Sequence, residues 1–193
     1  LLDGERVTDD MLVHLHGLKR LEYLALNFTN VTDAGLVHLE GLSNLKSLYL
    51  GSPWITDAGL VHIKGLSQLQ VLELGGHVNN AGLANLEGFS QLQELQLGGS
   101  DVVDAGLAHL RGLTKLQRLD LSLTKITDAG LANLEPLCQL KSLFLGGTNV
   151  SDAGLVHLRG LKQLGGLGLQ QTKVTPDGVK RLQQALPGCT IVR

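Results

Sequence analysis

A motif of 24 residues repeats along nearly the whole chain, and this repetition restricts the fold to very few architectures. The first complete copy runs from Leu18 to Gly41 and reads LKRLEYLALNFTNVTDAGLVHLEG. A unit this short cannot bury a hydrophobic core alone, so each copy must stack on its neighbours. The period therefore predicts a solenoid and argues against a globule with a closed core.

The expected organisation is one continuous domain. Its parts are a partial N-terminal repeat (1–17), six repeats of about 24 residues (18–160), and a divergent last repeat with a C-terminal cap (161–193), all within a single domain over residues 1–193. Leu2 aligns with Leu26, so we expect the array to begin inside a strand and more protein to precede it. No secretory signal peptide opens the chain, and a cytoplasmic location is favoured.

The third repeat, residues 66–88, is one residue shorter than the others. The missing position lies near His77, and two asparagines replace the usual Thr-Asp pair. We expect a local irregularity in this turn. Leu72 and Leu74 should remain buried because the strand of this repeat is intact.

Within each repeat, an alternating segment is followed by a helical one. Leu24 and Leu26 alternate with other residues, as in a strand with one buried face. Thr32 suits the N-cap of a helix of about two turns, and Asp33 would then lie at the positive end of the helix dipole. The glycines that end these helices are expected to be left-handed caps: Gly41, Gly65, Gly88, Gly112 and Gly160. Each repeat is thus predicted as strand, turn and short helix.

The C-terminus departs from the repeat in a way that predicts a cap. A longer helix is expected from about Thr175 to Leu186, with proline at its first position. Pro187-Gly188 would then turn the chain into a short strand, Cys189 to Val192. This strand would cover the last open edge of the sheet.

The full pattern, L-x-x-L-x-x-L-x-L-x-x-T-x-[VI]-T-D-A-G-L-x-x-L-x-G, resembles the leucine-rich repeat family. It is most similar to the I-T-D-A-G-L subtype of F-box-associated receptors and large bacterial arrays, and the tail from Ala185 to Ile191 looks like the end of planctomycete-type arrays. The resemblance implies an α/β horseshoe with a parallel β-sheet on its concave face and short helices on its convex face. It also implies binding of a protein or peptide, although the same fold serves many functions.

Composition and charge argue against several functional classes. Sixteen basic and 18 acidic residues give a net charge of −2, without the basic excess of a nucleic-acid-binding surface. No apolar run approaches the 18 residues of a membrane span, so no membrane insertion is expected. Since no Ser/His/Asp or Cys/His set converges, we expect no enzyme, no catalytic residue and no cofactor. The chain is expected to be a monomer.

A column of histidines raises the question of a metal site. It comprises His14, His38, His62, His109 and His157. The axes of neighbouring helices lie about 8–10 Å apart. Histidines that share one ion must each place a nitrogen about 2 Å from it. We therefore expect no metal and interpret the column as solvated side chains near helix C-termini. Cys138 and Cys189 are expected to be free thiols.

The residues that alternate with the buried leucines are the candidate binding site. Those proposed to contact a partner are Tyr23, Tyr49, Glu73, Glu94, Arg118, Asp120 and Phe144. Aromatic side chains and arginine anchor many protein interfaces, and Pro53 and Trp54 extend this surface at one edge. The leading hypothesis is a non-catalytic protein- or peptide-binding module. The alternative is a structural spacer or sensor segment of a larger multidomain protein, such as a kinase-linked receptor or an F-box-type substrate adaptor.

Overall fold

Eight short strands form one parallel sheet in the computed structural model, which describes residue 4 and residues 6–193. The strands follow one another in chain order: β1 Tyr23–Ala25, β2 Ser47–Leu50, β3 Val71–Leu74, β4 Glu94–Gln96, β5 Arg118–Asp120, β6 Ser142–Phe144, β7 Gly166–Gly168 and β8 Thr190–Val192. The strand expected around Leu2 lies outside the described residues. Since strands stack about 4.8 Å apart and helices need more room, the sheet is the concave side of the array.

The register of the sheet places equivalent positions of successive repeats side by side. Leu24 pairs with Leu48, and the offset of 24 residues falls to 23 where Leu72 pairs with Leu95. Leu72 and Leu74 are 0 % and 2 % exposed, so both remain buried. The prediction for the shortened repeat is confirmed on this point, because the missing residue belongs to the turn and not to the strand.

The helical segments between the strands are shorter and tighter than expected. The first of these begins at Gly35, not at Thr32, and most have 3₁₀ geometry over part or all of their length. The α-helical segments are α1 Asp9–Leu12, α2 Asn80–Leu83, α3 Asp128–Leu131 and α4 Pro176–Ala185, and the 3₁₀ segments are Val13–Leu15, Gly35–Leu39, Gly59–Ile63, Ala84–Leu86, Asp104–Leu110, Ala132–Leu134 and Gly154–Leu158. Their leucines pack behind the sheet in one continuous core.

The prediction of left-handed glycine caps is wrong for four of the five glycines. Gly41 has φ of +76°, whereas Gly65, Gly88, Gly112 and Gly160 are not left-handed. The residue before Gly41 has ψ of 132°, and this orientation of the peptide requires positive φ next. Lys64 instead has ψ of −33°, so Gly65 continues with negative φ. Pro136 can occupy the same position because proline fixes φ near −65°.

The Thr-Asp pairs do more than cap helices, since each aspartate also accepts hydrogen bonds from the next repeat. Asp33 accepts hydrogen bonds from Thr56 N and Thr56 Oγ1 at 2.7 and 2.6 Å. We call this series the aspartate ladder: Asp9, Asp33, Asp57, Asp104, Asp128 and Asp152. In the third repeat Asn80 takes the place of the aspartate and accepts a hydrogen bond from Val103 N at 3.0 Å, without a hydroxyl partner.

The last rung of the aspartate ladder makes stability dependent on pH. Hydrogen bonds from Thr175 N (2.8 Å) and Thr175 Oγ1 (2.7 Å), together with the nearby Arg181, lower the pKa of Asp152. Because the pKa is lowered in the folded state, this contribution is present above the unfolded value, near ~3.9, and is lost as pH falls through the folded value.

We therefore expect Asp152→Asn to lower the free energy of unfolding by about 1 kcal/mol at neutral pH. The difference from the wild type should shrink towards zero near pH ~2, measured by urea unfolding across this range. Glu22→Gln, at an exposed carboxylate that forms a surface ion pair with Lys46, is the control, since such pairs contribute little to stability. A constant loss at all pH values would show that ionisation of Asp152 is not the cause.

The C-terminal cap is close to expectation. Thr175 caps α4 by accepting a hydrogen bond from Gly178 N at 3.1 Å, and Pro176 is the first helical residue. The final strand, β8, pairs in parallel with β7 and extends the sheet by one strand. No helix in the described part of the chain is both long and apolar enough to cross a lipid bilayer.

Candidate functional site

The seven candidate residues lie on one face of the sheet, which we call the concave face. They occupy two adjacent columns that run across the strands. The first column is Tyr23, Ser47, Val71, Glu94, Arg118, Ser142 and Gly166, and the middle column is Ala25, Tyr49, Glu73, Gln96, Asp120, Phe144 and Gly168. The alternation seen in the sequence therefore brings these side chains to a single surface.

The aromatic and charged side chains of this face are exposed to different degrees. Tyr23 and Arg118 are exposed, whereas Tyr49, Asp120 and Phe144 are half-buried. Neighbouring strands are close enough for these side chains to cover one another. The face is therefore a layer of contacting side chains, not a set of free ones.

Two tyrosines form the N-terminal end of this layer. The rings of Tyr23 and Tyr49 lie 5.4 Å apart between centroids with an interplanar angle of 44°, a tilted aromatic pair. Burial, together with Tyr23 and the carboxylates of Glu94 and Glu73, raises the pKa of the Tyr49 phenol. The Tyr49 hydroxyl is thus a neutral hydrogen-bonding group at physiological pH.

Arg118 connects the two columns near the middle of the face. Its Nε lies 3.2 Å from Glu94 Oε1, an ion pair, and its guanidinium carbon lies 4.5 Å from the centroid of the Phe144 ring. Gln96 Nε2 donates a hydrogen bond to Glu94 Oε1 at 2.8 Å. These contacts hold the arginine flat against the face, an arrangement that reduces the entropy lost on binding.

The other two carboxylates of the face have neutral hydrogen-bond partners. Glu73 Oε1 accepts a hydrogen bond from Asn27 Nδ2 at 3.1 Å, and Asp120 Oδ1 accepts one from Ser122 N at 2.8 Å. Within residues 6–193, neither carboxylate forms an ion pair with lysine or arginine. Among the described residues, neutral groups are therefore the hydrogen-bond partners of these two carboxylates.

Sequence analysis missed two apolar side chains beside this face. Phe28 and Leu123 are 77 % and 68 % exposed, and each has φ near +60° in the turn after its strand. The left-handed residues of this turn are Phe28, Gly99, Leu123, Gly147 and Gln171. For a residue with a side chain this conformation costs about 1–2 kcal/mol. The sequence did indicate a left-handed backbone here, since other repeats place glycine at this position.

Pro53 and Trp54 lie beside Phe28, as an extension of the surface at one edge. Trp54 is 56 % exposed, and together with Phe28, Asn30 and Pro53 it lines a shallow depression. In this repeat the buried turn hydroxyl is Ser52, one position earlier than the threonine of other repeats. Its Oγ donates to Thr29 O and Val31 O at 3.3 and 3.2 Å, so the exchange of threonine for Pro53 leaves the turn bonded.

The convex histidines form ion pairs or hydrogen bonds between repeats. The Nδ1 atoms of His62, His109 and His157 each lie 2.6 Å from a glutamate oxygen of the preceding repeat. Across the residues the structure describes, no group of three or more histidine, cysteine, aspartate or glutamate side chains could hold a metal ion. Cys138 and Cys189 are free, and burial raises the pKa of the Cys189 thiol.

Comparisons with known proteins agree with this architecture. A leucine-rich repeat family model matches residues 112–134. Among solved structures, an internalin C2 from Listeria monocytogenes is 24 % identical with a TM-score of 0.74, covering 96 % of this chain and 76 % of its own. A leucine-rich repeat protein from Leptospira interrogans is 19 % identical with a TM-score of 0.66; the match covers 94 % of this chain and about half (51 %) of that protein. No curated protein matches the sequence significantly.

The predicted fold class is therefore confirmed. The chain is an α/β leucine-rich repeat solenoid with a parallel sheet and short helices. At these levels of identity the structural neighbours establish the fold alone, and a fold of this kind serves many functions. The function must be argued from the concave face itself.

Proposed function

We propose that this chain is a non-catalytic module that binds a protein or peptide on its concave face. The binding residues are Tyr23, Tyr49, Glu73, Glu94, Arg118, Asp120 and Phe144. Residues 1–193 act as a single, monomeric domain of the I-T-D-A-G-L subtype, and the similarity to proteins of Listeria and Leptospira supports a bacterial origin. The leucine-rich repeat fold, used widely for protein recognition, supports the same assignment.

The observation that carries this proposal is the contrast between the two faces of the same strands. The inward position at the centre of each repeat strand is leucine in all seven cases: Leu24, Leu48, Leu72, Leu95, Leu119, Leu143 and Leu167. The outward positions on either side differ from one repeat to the next, and several carry aromatic rings or charges. Since these side chains do not fill the core, a specific external surface accounts for them best.

Truncation of the two middle-column aromatics tests the proposal. We expect Tyr49→Ala and Phe144→Ala each to weaken partner binding by roughly 2 kcal/mol or more, about 30-fold in Kd, if the ring anchors the interface. The free energy of unfolding should fall by no more than about 1.5 kcal/mol, because only contacts on the face are lost. The partner is first captured from a lysate of the source organism, and its affinity for each variant is then measured by calorimetry.

His62→Ala and His109→Ala are the matched controls, because both residues lie on the convex side, where the Nδ1 atom of each is 2.6 Å from a glutamate oxygen of the preceding repeat. Both variants should bind the partner with wild-type affinity. If the aromatic variants bind normally while a histidine variant does not, the convex side is the binding surface and the proposal is wrong.

A further inference from the structure

A groove on the concave face runs beside the middle column. It has a volume of about 420 Å³ and is bordered by Phe28 and Pro53 at one end and by Glu73, Gln96 and Asp120 along one side. Part of the third outward column forms its floor. This column, which we call the glycine column, reads Asn27, Gly51, Gly75, Gly98, Ser122, Gly146 and Gln170. The three successive glycines that line the groove, Gly51, Gly75 and Gly98, come just after β2, β3 and β4 and leave this part of the floor without side chains.

Left-handed backbone does not explain these glycines, although a Cβ atom at Gly51 would lie 2.9 Å from Asn27 Oδ1 and one at Gly75 would lie 3.3 Å from Gly51 Cα. Gly51, Gly75 and Gly98 all lie outside the left-handed region, and Asn27 and Gln170 occupy the same column in other repeats. A Cβ atom added at Gly98 would meet its nearest neighbour, Asp120 Oδ1, at 3.6 Å, an ordinary contact. The groove at this point is therefore open space that a side chain could fill without disturbing the fold.

The groove has carboxylates along one side and an apolar surface at one end. Of the three glutamate and aspartate side chains in the two columns of the concave face, Glu73 and Asp120 have no cationic partner among the described residues, whereas Glu94 pairs with Arg118. Glu73 and Glu94 also contribute to the raised pKa of Tyr49, a sign of negative potential over this part of the face. At the opposite end, the exposed ring of Phe28 provides the apolar surface. The backbone of Phe28 is left-handed, like that of Gly99 and Gly147 at the same position of other repeats.

We propose that this groove binds an extended segment of a partner protein that presents a lysine or arginine next to an aromatic or aliphatic residue. The inference rests on the proposed function and specifies its partner. A long cationic side chain matches the groove because its methylene stem covers the glycine floor while its charged end reaches Glu73 or Asp120. The neighbouring apolar residue packs on Phe28 and Pro53. A neutral or acidic segment would leave the two carboxylates desolvated and unpaired.

Selection from a phage-displayed library of random twelve-residue peptides provides the probe. We expect the wild-type chain to enrich peptides in which lysine or arginine adjoins an apolar residue. Gly98→Gln places in the groove a side chain already present in this column at Gln170, and it should weaken the best peptide about tenfold or more. Gly146→Gln makes the same change two strands away, where its Cβ also meets only ordinary contacts, and should leave affinity unchanged.

Charge is tested separately from shape. Glu73→Gln and Asp120→Asn keep the size of each side chain, and each should weaken the peptide about three- to tenfold. Replacing the basic residue of the peptide by glutamine should cost about tenfold or more, and affinity should fall as salt is raised. Anisotropy of a labelled peptide measures all these affinities.

Enrichment of acidic or uncharged peptides, or normal binding to Gly98→Gln, overturns this inference. Such peptides would leave the proposed function intact if Tyr49→Ala or Phe144→Ala still weakens them, because the concave face would then bind another class of partner. Insensitivity to all these variants overturns both proposals. If Nα-acetyl-lysine amide, whose ε-ammonium group is free, binds as tightly as the peptide, the groove recognises a small cation and not a protein segment.

Discussion

Leu119→Ala is expected to lower the free energy of unfolding by roughly 2–5 kcal/mol. Leu119 is the central residue of β5, is 0 % exposed, and pairs with Leu95 on one side and Leu143 on the other. Truncation removes apolar contacts and leaves a cavity between repeats on both sides, which stacked neighbours can fill only in part. Urea unfolding followed by circular dichroism measures the loss.

Leu123→Ala is the matched control, four residues along the same repeat. Its side chain is mostly exposed, so the same chemical change should alter the free energy of unfolding by no more than about 0.5 kcal/mol. Equal losses in the two variants, or a loss below about 1 kcal/mol for Leu119→Ala, would mean that Leu119 does not belong to the core.

The solenoid and the inward direction of its leucines could be predicted because they depend on periodicity alone. Leu24 and Leu26 alternate at the period of a strand, and a repeat of 24 residues brings each leucine beside its equivalent in the next repeat. The deletion near His77 leaves Leu72 and Leu74 buried, since a missing turn residue does not change the phase of the strand. Strong local patterns of this kind need no knowledge of side-chain conformation.

The aspartate ladder was not predictable by the same reasoning. Thr32 and Asp33 were interpreted as local features of one helix, and Thr32 Oγ1 does accept a hydrogen bond from Ala34 N at 3.2 Å. The longer-range role of Asp33 depends on how closely the next repeat stacks, and the sequence does not contain this distance. The glycine caps failed for a related reason, because the sign of φ at Gly65 is decided by the ψ of the residue before it.

In the candidate site, too, the positions of residues could be predicted from periodicity, whereas their packing could not. The columns of the concave face follow from alternation, so Tyr49, Arg118 and Phe144 were correctly placed on one surface. Their partial burial could not be predicted, since it depends on which rotamers bring Arg118 over Phe144. The groove beside them depends on what is missing from the glycine column, and sequence patterns of bulky residues gave no reason to look there. Whether these residues bind a partner stays a prediction.

Gly154→Ala is expected to destabilise the protein by about 2–4 kcal/mol, although it adds a single methyl group. The new Cβ would overlap Asp128 Oδ1 and would lie 3.0 Å from both Asp128 Cα and Leu131 Cδ1. Asp128 accepts hydrogen bonds from Ser151 N and Ser151 Oγ at 2.7 and 2.6 Å. Either this rung of the aspartate ladder breaks or the two repeats move apart. Urea unfolding of the variant measures the loss.

Two further variants show whether the ladder is the cause of this loss. Gly160→Ala, in the same repeat, adds its methyl group to open space at a position that is not left-handed, so stability should stay the same or rise by about 0.4–1 kcal/mol. In an Asp128→Ala background the overlapping carboxylate is gone and only the contacts with Cα of residue 128 and Leu131 Cδ1 remain, so Gly154→Ala should cost clearly less than in the wild type. Full additivity of the two substitutions would contradict this explanation. The glycine of the repeated T-D-A-G motif would then be required for the helical turn itself, and not because an aspartate of the preceding repeat occupies the space beside it.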